Sequence, residues 1–253
     1  MENHLSWINK FNLVLLDEID STNDEARRIA MSPGSPSYLV VCAKKQTFGR
    51  GRSGKQWESP LGNLFMSVIV PINRDLEQMS QLSFVVGLAL ERAILGFFNK
   101  YSLRPQIELK WPNDVLLNDK KVAGILLESI DSNAKSLVIG IGVNVTQMPF
   151  VRDKIITSLY NEGLRDLDNT DVLHAFMLNF ETLYDEWNIG GFLSIREMWL
   201  KKAKGLGDII TVSTGASRIS GKFMDIDFKG KIRLHISSGQ IHSVSTGELF
   251  FGE

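Results

Sequence analysis

Apolar and polar positions follow two textures along this chain. Up to about residue 205, wholly apolar runs of strand length alternate with longer stretches of helical spacing. The runs 12–17, 38–43 and 64–70 predict buried strands; the last is stopped by Pro71. Leu82, Val85, Val86, Ala89, Leu90, Ala93, Ile94 and Phe97 keep a 3.6-residue period and predict a helix over 80–98. Val172, Leu173, Phe176, Phe180, Leu183, Tyr184 and Trp187 do the same over 170–187, and a shorter helix is expected over about 192–203. Thr22 stands three residues before Glu25, the spacing of a capping box, so a helix is expected from there to about Met31. Glu108 to Trp111 predicts a strand ended by Pro112. Residues 115–117 and 122–128 predict a hairpin around Asn118-Asp119-Lys120. Residues 137–145 predict another strand, with Gly140 and Gly142 where a neighbouring group approaches its backbone.

After Gly205 and Gly207 the pattern changes to short alternating runs at 209–212, 223–228, 232–236 and 241–244. This predicts a small all-β unit with too few large apolar groups to stand alone, docked on the rest. Strands and helices in the first part do not alternate strictly. An α+β arrangement, a mixed or antiparallel sheet carrying helices, is therefore favoured over a doubly wound parallel sheet. The expected division is residues 1–205 and 206–253.

Composition narrows the function classes. The 253 residues are 43% hydrophobic and 23% charged, with net charge −1, so the surface as a whole is not a nucleic-acid platform. The all-β unit has five Lys/Arg against five Asp/Glu, which also speaks against a basic binding module. The single cysteine, Cys42, lies in an apolar run and reads as a packing thiol. The four histidines lack metal-ligand spacing, and any metal site is left unassigned. The start of the chain has no signal-peptide pattern, and no uninterrupted apolar stretch approaches the roughly 20 residues that span a bilayer. A cytoplasmic protein that engages neither membrane nor DNA is expected.

Three stretches carry candidate chemistry. Gly49-Arg50-Gly51-Arg52-Ser53-Gly54-Lys55-Gln56-Trp57 sits in a segment, Lys44 to Lys55, with five basic residues and no acid. Such a loop is either a solvated basic turn or a phosphate-handling one, with Arg donors and a Trp to stack or cover. Lys110-Trp111-Pro112-Asn113-Asp114 puts polar groups at a strand end; alone it reads as a turn. Lys121 opens the apolar strand Val122-Ala123-Gly124-Ile125-Leu126, as an edge charge or as a cation beside a reacting centre. Neither a P-loop nor a dinucleotide-binding glycine pattern is present, so any nucleotide is held by another fold.

In order, Asp20-Ser21-Thr22-Asn23, Gln46, the Gly/Arg stretch, Lys110-Trp111-Pro112-Asn113-Asp114, Lys121 to Leu126 and Gly142-Val143-Asn144 closely resemble the biotin–protein ligases. The motifs cover about residues 13–148. The resemblance implies a catalytic domain like that of class II aminoacyl-tRNA synthetases followed by an SH3-like β-barrel. It implies activation of biotin by ATP with Mg²⁺, and transfer to a lysine of a biotin carboxyl carrier protein, as in acetyl-CoA carboxylase. Some members carry an N-terminal helix-turn-helix repressor domain; only about a dozen residues precede the first strand here, so it is not expected. Members are often homodimers.

Carried over residue by residue, Arg52, Lys121, Lys110 and Asp114 are the catalytic candidates. Ser21, Thr22, Asn23, Gln46, Gly49, Arg50, Lys121 and Gly124 are those for biotin; Arg50, Arg52, Trp57, Asn113 and Asn144 are those for the nucleotide. Lys55 stands where many members have arginine, which keeps the charge but loses the bidentate fork. Lipoate ligases and octanoyl transferases share the fold, but the Gly-Gly-Gly-rich loop usual in them is absent from this sequence.

Overall fold

A computed structural model describes residues 10–130, 136–149 and 155–252. A seven-stranded sheet has the order β1-β2-β3-β7-β6-β5-β4. Its strands are β1 (Asn12–Ile19), β2 (Leu39–Gln46), β3 (Leu64–Pro71), β4 (Ile107–Lys110), β5 (Asp114–Leu117), β6 (Lys120–Ser129) and β7 (Ser136–Val143). β1 and β2 pair in parallel and every other pair is antiparallel, giving the mixed sheet expected of an α+β chain.

Helix α1 (Thr22–Ala30) lies on one face, against β2, β3 and β7. On the other lie α3 (Leu82–Lys100), preceded by the single turn α2 (Leu76–Met79), then α4 (Asn169–Gly190) and α5 (Phe192–Leu200). Side chains alternate across a strand, so Leu39 and Val41 join Ala26 in a small core under α1, while Val40 and Cys42 join the main core. With both faces covered, the central strands read as unbroken apolar runs. The segment from Leu76 to Lys100 is long and apolar enough to cross a bilayer by composition, but 83% of its 18-residue apolar window is buried inside the fold.

The expected capping box does not form. Ser21 is the N-cap and makes no side-chain cap bond, so Thr22 is already the first helical residue. The Thr22 hydroxyl is drawn inward to Gln46 and Ser67 instead. At the hairpin between β5 and β6, Asn118 and Asp119 both take positive φ, 50° and 65°, as a tight two-residue turn demands.

A five-stranded antiparallel sheet of order β11-β10-β9-β8-β12 forms the C-terminal unit. It comprises β8 (Ile209–Ser213), β9 (Arg218–Ile226), β10 (Ile232–His235), β11 (Ile241–Val244) and β12 (Glu248–Phe251). The last strand is not among the predicted runs, because Glu248-Leu249-Phe250-Phe251 shows no alternation. The apolar residues of this sheet share one core with the first unit. Trp111 Nε1 donates to the Gly230 carbonyl at 2.9 Å, and Gln81 links Trp187 Nε1 (2.8 Å) to the Phe228 carbonyl (2.8 Å). These bonds fix how the C-terminal sheet meets the first unit.

Candidate active site

A cleft of about 470 Å³ opens between the β6–β7 surface, the start of α1, the Gly/Arg stretch, the corner after β4 and two turns of the C-terminal sheet. Ser21, Thr22, Asn23, Gln46, Arg50, Arg52, Trp57, Lys110, Asn113, Asp114, Lys121, Gly124 and Asn144 all line it. Gly49 does not. A Cβ there would sit 2.4 Å from the Trp57 carbonyl, so this glycine serves a close backbone crossing beneath the loop.

The Gly/Arg stretch folds as a tight hairpin. Trp57 N donates to Gly49 O (2.9 Å) and Gly51 N to Lys55 O (2.7 Å), and Ser53 and Gly54 turn the tip with φ of 56° and 73°. Three side chains tie it down. Arg50 reaches Asp24 and Glu128, each at 2.8 Å, on the α1 and β6 side. Arg52 donates to Thr246 Oγ1 (2.9 Å) and Lys55 pairs with Glu248 (2.7 Å), both on the C-terminal sheet.

Trp57 lies inside the cleft on the two glycines of the floor. Added Cβ atoms would come 2.8 Å from its ring at Gly124 and 2.4 Å at Gly142. Its Nε1 is buried with no hydrogen-bond partner among the described residues. Asn144 also keeps one buried polar atom unpaired, its Oδ1. Its Nδ2 donates to the Thr157 carbonyl at 3.0 Å, which fixes the amide. The corner behind it is held by Asn63, whose Oδ1 accepts from the backbone N–H of Val145, Thr146 and Gln147.

At one end the lining is neutral and tightly bonded. Gln46 Oε1 accepts from Thr22 N (2.9 Å) and lies 3.1 Å from Thr22 Oγ1, while Gln46 Nε2 donates to Ser59 Oγ (3.0 Å). Ser67 Oγ is 2.8 Å from Thr22 Oγ1 and 2.5 Å from Asn23 Oδ1, and Asn23 Nδ2 donates to Glu128 at 2.7 Å. Asp20 accepts from Ser21 N (2.7 Å) and holds this segment in place. Its hydrogen bonds from Arg28 keep its carboxyl near a pKa of about 2.

Two cations meet at the corner after Pro112. Arg52 donates to Asn113 Oδ1 (2.9 Å), and Lys121 pairs with the adjacent Asp114 carboxylate (2.5 Å), so both are tethered to the corner after Pro112. The side chains that accept from Arg52, Asn113 and Thr246, are both neutral. Burial pushes its guanidinium below its ordinary range, offset in part by Asp114 and Glu248. The guanidinium therefore favours an anion that can share its site. Lys110 lies 5.3 Å from the Phe251 ring centre. Among the described residues no group of three His, Cys, Asp or Glu could cage a metal.

Several contributors lie outside the motifs. Ser67 is visible in the sequence as the one polar residue in the run 64–70, and Glu128 as an acid ending an apolar strand. Thr246 and Glu248 carry no local signal, because their role depends on where the C-terminal sheet docks.

The cleft on a mixed sheet, with a tethered basic hairpin over it, can be set beside known proteins. The model of the biotin/lipoate A/B protein ligase family matches residues 15–144, and the chain belongs to that family. Residues 205–252 match the biotin protein ligase C-terminal domain. A biotin–[acetyl-CoA-carboxylase] ligase of Paracoccus denitrificans is 36% identical over 94% of this chain and 100% of its own length. A bifunctional ligase/repressor BirA of Bacillus subtilis is 33% identical over 90% of this chain and 70% of its own. The biotin protein ligase of Aquifex aeolicus, solved with biotin and ATP, superposes with a TM-score of 0.78 at 29% identity, covering 94% of this chain and 97% of the other.

Proposed function

We propose that the cleft joins biotin to AMP and then to a carrier lysine, dividing its surface between the two substrates. The neutral end formed by Ser21, Thr22, Asn23 and Gln46 suits the uncharged ureido ring of biotin, with Gly124 leaving room beside it. The end with Trp57, Asn113 and Asn144 takes the nucleotide. Asn144, whose Nδ2 is held by the Thr157 carbonyl, keeps Oδ1 as an acceptor that suits the amino group of adenine. Residues 1–205 would form the catalytic domain and 206–253 the barrel that closes one side of the cleft.

The observation that carries this reading is the pair of cations, Arg52 and Lys121, tethered to Asn113 and Asp114 at one corner between the two ends. In the first step a biotin carboxylate oxygen attacks the α-phosphorus of Mg·ATP, the bond to the bridging oxygen breaks, and pyrophosphate leaves. Two anions must meet, and cations held in advance lower that barrier by electrostatic stabilisation. In the second step the carrier's lysine amine attacks the acyl carbon, AMP leaves, and the amine loses a proton. Asp114 would receive it, and Lys110 would contact the nucleotide or the incoming lysine. Arg50 secures the hairpin over the bound adenylate and keeps water from the anhydride. The acceptor is a biotin carboxyl carrier protein, as the name of the Paracoccus relative suggests.

The match of residues 205–252 favours biotin over lipoate. Purified protein given Mg·ATP and labelled biotin should release pyrophosphate and label an apo-carrier domain, and labelled lipoate should do neither. Pyrophosphate with lipoate alone would overturn the substrate assignment.

A further inference from the structure

We infer that Glu128, which no motif includes, is a positioning residue that sets the hydrogen-bond polarity of the biotin end and ties the Gly/Arg hairpin to it. One atom makes both connections. Glu128 Oε2 accepts from Asn23 Nδ2 at 2.7 Å and from Arg50 Nη2 at 2.8 Å. An ionised carboxylate only accepts, so the Asn23 amide turns its nitrogen to Glu128 and its oxygen to Ser67. Asn23 is buried and has no room to escape: Gly140 lies against it so closely that a Cβ there would be 2.4 Å from Oδ1.

The orientation passes along the row. Ser67 has one hydroxyl proton and two neighbours, Asn23 Oδ1 at 2.5 Å and Thr22 Oγ1 at 2.8 Å. Asn23 Oδ1 has no proton to offer, so the Ser67 proton goes to it. Thr22 is left with one proton for Ser67 or Gln46 Oε1, and with lone pairs that no neighbouring protein donor satisfies. Thr22 therefore faces the cleft as an acceptor, ready for an N–H of the bound acyl substrate. Were Asn23 reversed, Ser67 would donate to Thr22 and fill that acceptor.

The same carboxylate oxygen reaches the hairpin through Arg50, which Asp24 also holds at 2.8 Å. Ordering of the biotin end and closure of the hairpin are thus linked through Glu128. This rests on the assignment of that end of the cleft to biotin.

The test compares Glu128→Ala and Glu128→Gln in the full chain. The readouts are the KM for biotin, kcat for pyrophosphate release, the AMP formed per carrier labelled, and the melting temperature. Glu128→Ala frees Asn23 and should raise KM for biotin about tenfold, the worth of an ordinary hydrogen bond. It should also raise AMP per carrier several-fold as adenylate escapes from beneath a loosened hairpin. Glu128→Gln keeps an acceptor for Asn23, so KM should stay within about threefold, while its neutral oxygen holds Arg50 less firmly and the AMP ratio still rises. Equal KM in the two variants overturns the polarity assignment, and an unchanged AMP ratio in both overturns the tie to the hairpin. Should the Ala variant fail to fold, the Gln variant decides, since a KM raised tenfold with a normal AMP ratio contradicts both parts. A wild-type chain that makes no biotinyl adenylate rejects the proposed function itself, separately from these outcomes.

Discussion

Lys121→Ala is the sharpest perturbation of the reacting centre, because it acts twice. The ammonium lies 2.5 Å from Asp114 and 5.3 Å from the Trp57 ring centre, and both members of the pair are about four-fifths buried. Two of its three donors remain for substrate anions. Removing a charge that acts on the transition state costs about 3–4 kcal/mol. It also leaves the Asp114 carboxylate uncompensated beside the incoming phosphate. At a separation of about 5 Å and an effective dielectric near 20, that repulsion is roughly 3 kcal/mol before screening, so roughly 1–2 kcal/mol remains. The sum, about 4–6 kcal/mol, corresponds to a loss of about 10³–10⁴ in the rate of pyrophosphate release. The repulsion is separable. Lys121→Ala/Asp114→Asn should recover about tenfold over the single variant, because the neutral amide no longer repels phosphate. Single-turnover pyrophosphate release at saturating biotin and Mg·ATP measures both. A Lys121→Ala protein within tenfold of wild type refutes the role of the cation, and a double variant no faster than the single one refutes the role given to Asp114.

Three further outcomes are expected. Asn144→Ala should raise KM for ATP about tenfold and narrow the preference for ATP over GTP, whose keto oxygen would face the fixed Asn144 Oδ1; an unchanged nucleotide preference would contradict the placement of the adenine. Gly140→Ala drives a methyl group into Asn23 and breaks its bonds to Ser67 and Glu128, so the denaturation midpoint should fall by the equivalent of about 2–3 kcal/mol and biotin affinity with it; full stability would show that Asn23 can move aside. Asp20 has a folded pKa of about 2, below its usual value near 3.9, so its contribution is present above pH 4 and disappears as pH falls from about 4 to 2. Acid unfolding of Asp20→Asn, followed by circular dichroism, should show a flatter stability profile in that window, and identical slopes would sink the assignment.

The sequence made the sheet legible because both faces are covered, and the unbroken apolar runs of β2 and β3 have no other explanation. It also made the cation set legible, since Arg50, Arg52 and Lys121 sit in stretches where glycine and proline mark special backbone. Gly140 and Gly142 were recognisable as places of close approach, but not what approaches: Asn23 at one and Trp57 at the other. That needs the position of α1 and the path of the hairpin, neither of which is local. The capping-box spacing misled for a related reason. Thr22 has the side chain for a cap, but Gln46 and Ser67 compete for its hydroxyl from strands distant in the chain. β12 was missed because its register comes wholly from pairing with β8.

The anchoring of the hairpin at both margins follows from what a short Gly-rich loop can do alone. Ordering each residue of such a segment costs roughly 1–2 kcal/mol, and an exposed ion pair returns about 1 kcal/mol or less. The pairs of Arg50 and Lys55 therefore supply only part of what holds residues 49–57 closed. A further hold comes from the Trp57 ring packed on Gly124 and Gly142, a half-buried indole worth on the order of 1–2 kcal/mol. That ring occupies the floor on which the substrates must lie. A ligand that displaces Trp57 removes an apolar anchor and supplies in exchange an anion for Arg52, whose side-chain acceptors are both neutral. On the proposed function, the hairpin then closes over an acyl–phosphate group and confines the reactive anhydride for the carrier.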